Sequence, residues 1–436
     1  MRVLALADSD SYAKWGAALL SRMPSDWQLQ LVLVRTAKEP SSAQLRAALD
    51  GSRFTPADVA RLEFDAAVLH AVSERPDVVL VAAIGPLVDV LVAGILGASP
   101  WRPVFVSGIP GIALPARRKA LVYRSQIDLV VLHSRRELRQ YGALARNTGL
   151  RHVFGLATLP FIGTDTFPAQ SSGDVIFAGQ AIVPASRAQR AMLLGWLITF
   201  AQRHPESRLV IKIRALEGEG QTHDEADSYQ ALLRRRHDVP ANLVVETGPM
   251  RERLASASAL VTVSSTAAIE AIAAGVPVLA IDSFGVSPEL INDVFVDSDL
   301  LGPAQDLVDG NFHQPNPTWL NDNYFHDRGD NTWLAEIEIL VDRNRRGALP
   351  RRARVVRGGG GALRRAWDRK RVLGRHDRSL SGLVALAVGL PTRTLVLALG
   401  ELRALVVDER FGEQRLALDH EDAERPEGSE PISRSR

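Results

Sequence analysis

One stretch decides the fold: Ala259-Leu-Val-Thr-Val-Ser-Ser-Thr-Ala-Ala-Ile-Glu-Ala-Ile-Ala-Ala-Gly-Val-Pro-Val-Leu-Ala-Ile281. The apolar run that ends at Val263 predicts a buried strand, and the small residues that begin at Thr266 predict a helix. Gly275 stands where a helix often ends in the left-handed conformation, and the apolar run after it predicts a second strand. A strand, a helix and a strand in this order form the repeating unit of a parallel sheet.

The same alternation extends over most of the 436 residues. In the first part it predicts strands at 3–7, 27–34, 77–83, 103–107 and 128–133, and helices at 12–23, 56–72, 87–96 and 134–144. In the second part it predicts strands at 175–178, 208–213, 242–246, 259–263 and 276–281, and helices at 184–203, 229–236, 250–257 and 266–274. We therefore predict an α/β protein with two Rossmann-like domains, residues 1–162 and 174–342, which face a cleft and are joined by a Gly-, Ser-, Thr- and Pro-rich linker at 163–173.

Composition narrows the class of protein. Hydrophobic residues make up 46% of the chain and charged residues 23%, as in ordinary globular proteins. The absence of cysteine excludes disulfides, thiolate zinc sites and cysteine nucleophiles. The apolar run that ends at Asp8 is too short for the core of a signal peptide, so we expect a cytoplasmic protein.

The C-terminal segment, residues 343–436, is predicted to be a basic and amphipathic tail, partly disordered. Residues 343–378 hold 14 Arg or Lys against two Asp, and an apolar stretch at 380–407 is interrupted by Pro391 and by charges that argue against a membrane span. We expect residues 343–407 to lie on an anionic membrane surface, at the inner face of the plasma membrane. The alternative is a solvated arm or one attracted to nucleic acid without specificity.

The turn of the opening stretch is a candidate anion site. A helix N-terminus has unpaired N–H groups that favour phosphate, and the hydroxyls of Ser264, Ser265 and Thr266 would add donors. Glu270 lies four residues after Thr266, on the same helix face, where its carboxylate could accept both hydroxyls of a ribose. The alternative is that Ser265 only caps the helix and Glu270 faces water.

These residues resemble a known family. The run Ser-Ser-Thr, then Ile-Glu-Ala, then Ala-Gly-Val-Pro-Val is similar to the nucleotide-binding segment of GT-B glycosyltransferases. The resemblance implies that Glu270 holds the donor ribose and that Ser264 to Thr266 hold phosphate, with a nucleotide-sugar as substrate and neither a cofactor nor a metal. Over residues 1–340 the chain resembles an uncharacterised glycosyltransferase family of GC-rich bacteria.

The Ser-Ser pair is also similar to one motif of the bacterial sialyl- and Kdo-transferases that make capsules. Those enzymes carry a His-Pro motif after an earlier strand. This chain has Lys212-Ile-Arg214 at the matching place and His223 further on, so the resemblance does not indicate a CMP-sugar.

Other candidates for the donor site follow the remaining strands of the second domain. Lys212 and Arg214 could neutralise a diphosphate leaving group, or could mark a solvated strand end. Gly179 and Gln180 occupy a first turn where a backbone can approach phosphate. We add His223 as a phosphate ligand, with a surface role as its alternative, and Gly248 as a contact to the base.

The first domain is expected to bind the acceptor. Asp8 and Asp10 follow the first strand, and a carboxylate there, by preference that of Asp10, could deprotonate an acceptor hydroxyl. The alternative is that Asp10 or Ser11 caps the first helix. Ser11, Lys14, Gly108 and Gly111 are further acceptor candidates, while Arg117, Arg118 and Arg124 could meet an anionic acceptor or solvent.

The function predicted from the sequence is transfer of a sugar to a cell-envelope glycan or lipid-linked acceptor. Three alternatives stay open. The GT-B resemblance also fits a sugar-nucleotide epimerase, the order of Asp8 and Asp10 fits a haloacid-dehalogenase-like phosphatase, and a catalytically inactive scaffold would share the fold. The Asp-x-Asp patterns at 8–10 and 297–299 could suggest the metal site of a GT-A enzyme, but neither lies where that fold needs it.

Overall fold

The computed structural model describes residues 1–159, 162, 173–180, 183–213, 228–248, 250–355 and 361–388. The strands are β1 (Arg2–Ala7), β2 (Gln28–Val34), β3 (Ala60–Leu62), β4 (Val78–Ala82), β5 (Val104–Gly108), β6 (Leu129–Leu132), β7 (Val153–Leu156), β8 (Asp174–Ala178), β9 (Leu209–Lys212), β10 (Leu243–Glu246), β11 (Ala257–Thr262), β12 (Val278–Ile281) and β13 (Leu301–Gly302). The helices are α1 (Asp10–Leu20), α2 (Ser42–Leu49), α3 (Phe64–Glu74), α4 (Gly85–Ala98), α5 (Arg118–Val122), α6 (Arg135–Asn147), α7 (Arg187–Arg203), α8 (Tyr229–Leu233), α9 (Met250–Leu254), α10 (Ala267–Ala273), α11 (Ala304–Asp309), α12 (Pro317–Asp322), α13 (Trp333–Arg345) and α14 (Ala362–Leu373).

These strands form two parallel sheets, as the sequence predicts. The first has the order β3-β2-β1-β4-β5-β6-β7 and the second the order β10-β9-β8-β11-β12-β13. The order reverses between β1 and β4 in the first sheet and between β8 and β11 in the second. Ligands of doubly wound sheets bind beyond the carboxyl ends of the strands at such points. We therefore expect ligand-binding residues directly after β1, β4, β8 and β11.

The side chains of β1, a continuous apolar strand, pack alternately into two hydrophobic cores. The five residues from Val3 to Ala7 of β1 are each at most 2% exposed. Val3, Ala5 and Ala7 belong to one hydrophobic cluster, and Leu4 and Leu6 belong to another. Successive side chains of a strand point to opposite faces, so each sheet face carries its own layer of helices.

The predicted helix at 56–72 is wrong in its first half. The carboxylate of Asp58 accepts hydrogen bonds from the backbone N–H (2.8 Å) and the hydroxyl (2.7 Å) of Thr55, which closes a short 3₁₀ turn at Pro56–Asp58. The chain then extends as β3, which pairs with β2, and α3 begins only at Phe64. The local turn and the free edge of β2 outweigh the helical pattern here. The other elements outside the predicted set are α2, α5, α11, α12, α13, α14, β7 and β13.

Helix α13 returns the chain to the first domain. Its residues Trp333, Ile337, Leu340 and Val341 lie in the core of the first sheet, each at most 3% exposed. A Cβ on Gly155 of β7 would lie 2.9 Å from the Cα of Trp333, so the glycine permits this close approach. Residues up to 342, assigned from sequence to the second domain, therefore include a helix that packs on the first.

The two connections between the sheets run side by side. The outgoing connection follows β7, and the returning one precedes α13. The backbone N–H of Thr158 donates to Oδ1 of Asn331 at 2.7 Å. Leu156 and Thr332 exchange two hydrogen bonds of 3.0 Å, one of them through the Thr332 hydroxyl. The segments that join the domains are thus bound to each other.

The C-terminal segment divides between two compact units. Residues 1–360 and 371–377 form one unit, and residues 361–370 and 378–436 form the other. In the first unit, Leu373 is fully buried in a core of the first sheet. In the second unit, residues 380–388 are helical. No helix in the described part of the chain has the length and hydrophobicity needed to cross a membrane. The predicted linker, except Gly173, and the predicted membrane contact at 389–407 lie outside the described residues.

Candidate active site

The serine turn after β11 is held by its own hydroxyls. The Oγ of Ser264 donates to the carbonyl of Ile291 at 2.7 Å, and the Oγ of Ser265 accepts from the N–H of Ala267 at 3.2 Å. Both serines are at most 5% exposed. Ser265 thus satisfies the first N–H group of α10, although the N-cap position itself belongs to Thr266 and not, as the capping alternative had it, to Ser265. The opening motif builds a rigid turn that ends at Thr266.

The end of α10 also follows the sequence prediction. Gly275 has a φ of +78°, its N–H bonds to the carbonyl of Ile272, and the N–H of Val276 bonds to the carbonyl of Ala271. This pair of bonds is the Schellman arrangement, which needs a residue that tolerates left-handed backbone. The glycine thereby fixes where α10 ends.

A loop after β12 lies against the serine turn. Ile291, whose carbonyl receives the Ser264 hydroxyl, has a φ of +56°, which is a strained conformation for a β-branched residue. The side chain of Asn292 is buried and bonds to the carbonyl of Gly285 (2.9 Å) and the N–H of Ser287 (3.0 Å). Sequence reasoning missed this loop. The cluster of Gly, Ser and Asn directly after a predicted strand was the available signal.

Glu270 meets the first domain rather than bulk water. Its Oε1 lies 3.6 Å from the Nζ of Lys14, which projects from α1, and the two side chains are 16% and 39% exposed. The spacing from Thr266 correctly placed Glu270 on the cleft side of α10. Lys14 was predicted to bind the acceptor, and the structure places it against the proposed ribose ligand.

A second contact joins the same two surfaces. Gly111, in the loop after β5, has a φ of +78°, and a Cβ there would lie 2.8 Å from Oγ1 of Thr266. Glycine is needed both for the backbone angle and for the space. The loop after β5 in the first domain therefore touches the serine turn of the second.

The two carboxylates after β1 differ in accessibility. Asp8 is 1% exposed and accepts from the Ser9 hydroxyl (3.1 Å) and the Ile84 N–H (3.4 Å). Burial raises the pKa of the Asp8 carboxyl to about 6. Asp10 is half-buried, starts α1, and accepts from the Ser11 hydroxyl at 3.3 Å. The N-cap position belongs to Ser9, so the capping alternative for Asp10 and Ser11 is wrong.

Behind these residues lies a buried guanidinium that sequence reasoning left open. Arg124 is 3% exposed and donates to the carbonyl of Gly108 (2.8 Å), the hydroxyl of Ser107 (3.2 Å) and the hydroxyl of Tyr12 (3.4 Å). Its guanidinium group is therefore almost inaccessible to solvent. Gly108 is also buried, since a Cβ there would lie 2.7 Å from the carbonyl of Val131. Arg117 instead reaches the second domain and donates to the carbonyl of Pro288 at 3.0 Å.

The remaining donor candidates follow the carboxyl ends of β8, β9 and β10. Gly179 lies against the ring of Tyr229, and the carbonyl of Gln180 accepts from Arg190 at 3.0 Å. Lys212 is 8% exposed, and its Nζ donates to the carbonyl of Ile213 at 2.9 Å, so it is not a solvated strand end. Gly248 is exposed with a φ of +106°. Arg214 and His223 lie outside the described residues.

Asp297 and Asp299 are separate from this arrangement. Both are exposed and have positive φ angles, in the segment before β13. Within the described ranges, no three His, Asp or Glu side chains converge where a metal ion could bind. Catalysis without a metal stays a prediction.

The sequence of this chain matches a known protein family. Residues 3–340 match the family described as "Putative glycosyltransferase (DUF6716)". This chain belongs to the DUF6716 family. No curated protein sequence matches the chain.

The DUF6716 chain is also similar to solved structures. One is MnaA of S. aureus in a co-structure with UDP, with 11% identity, a TM-score of 0.48, and coverage of 82% of this chain and 100% of that one. Another is Alr3699/HepE of Anabaena in complex with UDP, with 14% identity, a TM-score of 0.45, and coverage of 80% and 99%. A third is the lipopolysaccharide outer core galactosyltransferase WaaB in its apo form, with 12% identity, a TM-score of 0.41, and coverage of 80% and 99%. Similarity at this level does not identify the ligands of the DUF6716 chain.

The two parallel sheets of this DUF6716 protein confirm the predicted GT-B architecture.

One buried carboxyl group that sequence reasoning missed sets the position of the loop that carries Gly111. Glu137 of α6 is fully buried and accepts from the N–H of Ala113 (2.9 Å), the N–H of His133 (2.8 Å) and the hydroxyl of Tyr324 (2.7 Å). Burial raises the pKa of the Glu137 carboxyl. A lone glutamate in an amphipathic helix gives no sequence signal for such a role.

Proposed function

We propose that this protein is a glycosyltransferase that transfers a sugar from a nucleotide-sugar to a hydroxyl group of a cell-envelope glycan or lipid-linked acceptor. The contact between Lys14 and Glu270 across the cleft carries the proposal, because it brings the candidate donor helix next to the candidate acceptor helix. Membership of the family described as "Putative glycosyltransferase (DUF6716)" supports it.

On this proposal the second domain binds the nucleotide. Glu270 accepts hydrogen bonds from the two ribose hydroxyls, and the backbone near Thr266 faces the phosphates. When the ribose takes over Glu270, the ammonium group of Lys14 becomes available to the phosphates. Lys212 would add a second cation, and two cations beside a diphosphate stabilise the charge that develops on it as it leaves.

The first domain would supply the base. Asp10 is half-buried at the start of α1, on the same helix as Lys14 and one turn before it. A carboxylate there can accept the proton of an acceptor hydroxyl as that oxygen attacks the anomeric carbon of the donor sugar. Asp8 is only 1% exposed and is too buried to act as the base in this conformation.

Nucleotide binding tests the proposal directly. We expect UDP, GDP or CMP to raise the melting temperature, because a ligand at 100 times its Kd adds about 2.7 kcal/mol of stability. Glu270→Ala should abolish this shift. Glu252→Ala, an exposed carboxylate on α9 of the same domain, is the matched control and should keep it.

The possible outcomes separate the parts of the proposal. If none of the three nucleotides shifts the wild-type protein, the nucleotide-sugar function is wrong. If Glu270→Ala keeps the full shift, the nucleotide binds elsewhere and the ribose assignment fails.

We further propose that the C-terminal segment holds the enzyme at an anionic membrane surface, where a lipid-linked acceptor would be presented. The helical residues 380–388 expose an apolar stripe: Leu380 is 81% exposed, Leu383 51%, Val384 56% and Val388 48%. These positions are spaced i, i+3, i+4 and i+8, which places them on one helix face. In the same unit, residues 361–370 carry four Arg or Lys against one Asp. An apolar stripe beside positive charge is the pattern of helices that lie in an anionic bilayer surface.

A further inference from the structure

A cavity at the carboxyl edge of the first sheet has no role in the function proposed so far. Its volume is about 310 Å³, and it lies beyond the end of β2. Its lining includes Thr36, Ala37, Glu39 and Gln44, together with Arg375 and His376 of the C-terminal segment. A cavity of this size is at the lower end of the range for small-molecule sites, about 300 to 1,000 Å³.

The cavity adjoins β1, the strand that precedes the candidate base Asp10. Strands β1 and β2 are neighbours, with Ala7 opposite Leu33. The Thr36 hydroxyl donates to the carbonyl of Asp8 at 3.5 Å and accepts from the N–H of Lys38 at 3.1 Å. A ligand in the cavity would therefore sit one strand away from Asp8 and Asp10, on the same edge of the sheet.

The polar lining is fixed before any ligand binds. Nη1 of Arg61 donates to the Glu39 carboxylate at 2.7 Å and to the carbonyl of Pro40 at 3.3 Å. Ser41 and Gln44 form a capping box at the start of α2, with bonds of 2.9 and 3.2 Å. Groups held by their own hydrogen bonds lose little entropy when a ligand arrives.

A short stretch of the C-terminal segment, residues 371–377, completes the cavity. Leu373 is buried in the core of the first domain, and Asp377 is 1% exposed. Arg375 and His376 lie between these two anchors and reach the cavity. Nδ1 of His376 lies 3.6 Å from the Glu63 carboxylate, whereas its Nε2 is buried and has no hydrogen-bond partner in the described part of the protein. An unmade hydrogen bond of this kind is costly.

We propose that this cavity is an acceptor subsite that binds one sugar unit of the acceptor glycan. It combines carboxylate, hydroxyl and amide acceptors with guanidinium and imidazole donors, and alternating donors and acceptors suit the hydroxyl groups of a sugar ring. The inference rests on the glycosyltransferase function and adds to it a place for the acceptor. It also gives residues 371–377 a role in the enzyme separate from membrane contact.

The test blocks the cavity without removing any contact. Ala37 is an exposed lining residue, so Ala37→Trp should fill the space. Ala47→Trp, at an exposed alanine of α2 outside the lining, is the matched control. Arg375→Ala is a second variant that removes a lining donor from an exposed position. The probes are the methyl glycosides of glucose, galactose, mannose and glucuronic acid, observed by saturation-transfer NMR.

We expect saturation transfer to at least one glycoside with the wild-type protein and with Ala47→Trp. Ala37→Trp should weaken that binding at least tenfold, and Arg375→Ala several-fold. Binding that is unchanged in both variants, or no binding of any of the four glycosides to wild type, would overturn the proposal. UDP, GDP and CMP shifts measured on the same samples tell the two failures apart, because loss of the subsite alone leaves nucleotide binding intact.

Discussion

Asp8 has a protonation equilibrium that folding alters. The pKa of its carboxyl is 3.8 when unperturbed and about 6 in the folded protein, because the side chain is buried. Between these two values the folded state binds a proton that the unfolded state does not. Stability therefore falls as the pH rises from about 4 to 6, and the loss persists above that window. A difference of about two pKa units corresponds to on the order of 3 kcal/mol.

This cost predicts the behaviour of Asp8→Asn. The amide keeps an oxygen for the Ile84 N–H and does not ionise. We expect the variant to exceed wild type in the free energy of unfolding by on the order of 2 kcal/mol at about pH 7.5, and to match it near pH 4. Urea unfolding at several pH values measures the difference. Asp26→Asn, at an exposed aspartate, should show no such trend. A constant difference at all pH values would show that Asp8 titrates normally.

Single residues also show how far sequence reasoning reaches. The direction of Glu270 followed from its spacing on a helix, and the left-handed cap at Gly275 followed from its place after one, because both depend on local geometry. The partner of Glu270 did not follow, since Lys14 belongs to another domain. The burial of Arg124 did not follow either, because its neutral partners belong to two separate segments of the first domain, the end of β5 and helix α1.

Among the structural elements, the loop after β5 lies against the turn before α10, so the candidate acceptor and donor regions meet there. Gly111→Ala should strain a left-handed backbone, at about 1 to 2 kcal/mol, and also press a methyl group against Thr266. Gly51→Ala is the matched control, because Gly51 has a φ of +71° and no atom within 4 Å of its Cβ position. We expect Gly111→Ala to lower the free energy of unfolding by about 1 to 3 kcal/mol more than Gly51→Ala does.

The excess can be assigned by removing the other partner. In a Thr266→Ala background, the extra cost of Gly111→Ala should shrink towards that of Gly51→Ala, as chemical denaturation would show. Equal costs for the two glycine variants in the wild-type background would mean that the loop after β5 moves away from the turn at no cost.

Elements with a strong periodic pattern of apolar residues were predictable from the sequence, and short elements were not. The core strands of both sheets and helix α7 lie within a few residues of their predicted positions. Strand β3, of three residues, depends on the free edge of β2, which no local pattern reveals. The helical pattern at 56–72 was real but gave way to a turn closed by Asp58.

For the molecule as a whole, the exposed stripe on residues 380–388 predicts binding to lipid. The full chain should sediment with vesicles of phosphatidylglycerol and not with vesicles of phosphatidylcholine, since each well-placed cation adds about 1 kcal/mol at an anionic surface. Leu383→Glu with Val384→Glu should abolish the binding. Ile339→Glu, at an exposed apolar residue of α13, is the control and should not.

Failure of the wild-type chain to sediment would mean that the stripe contacts something else, such as another part of the chain or a second copy. Full binding by the double variant would place the lipid contact elsewhere. Deleting the whole predicted tail, residues 343–436, would be a poor test, because it removes Leu373 from a core of the first domain and cuts α13 before its last residues.

The large-scale course of the chain was only partly predictable. Two domains followed from two runs of alternating strands and helices. The return of α13 and the anchoring of Leu373 did not follow, since an amphipathic helix does not show which core it joins. A basic composition had suggested only a solvated or membrane-bound tail.

The paired connections at Thr158 and Asn331 restrict how the halves can move. A protein with domains in simple tandem has a single covalent tie, about which one domain can swing and twist in any direction. Here the outgoing and the returning connection are hydrogen-bonded to each other and would have to bend together. We therefore expect the cleft to open by bending both connections together, as a rotation about one axis that would return Lys14 to Glu270 on closing.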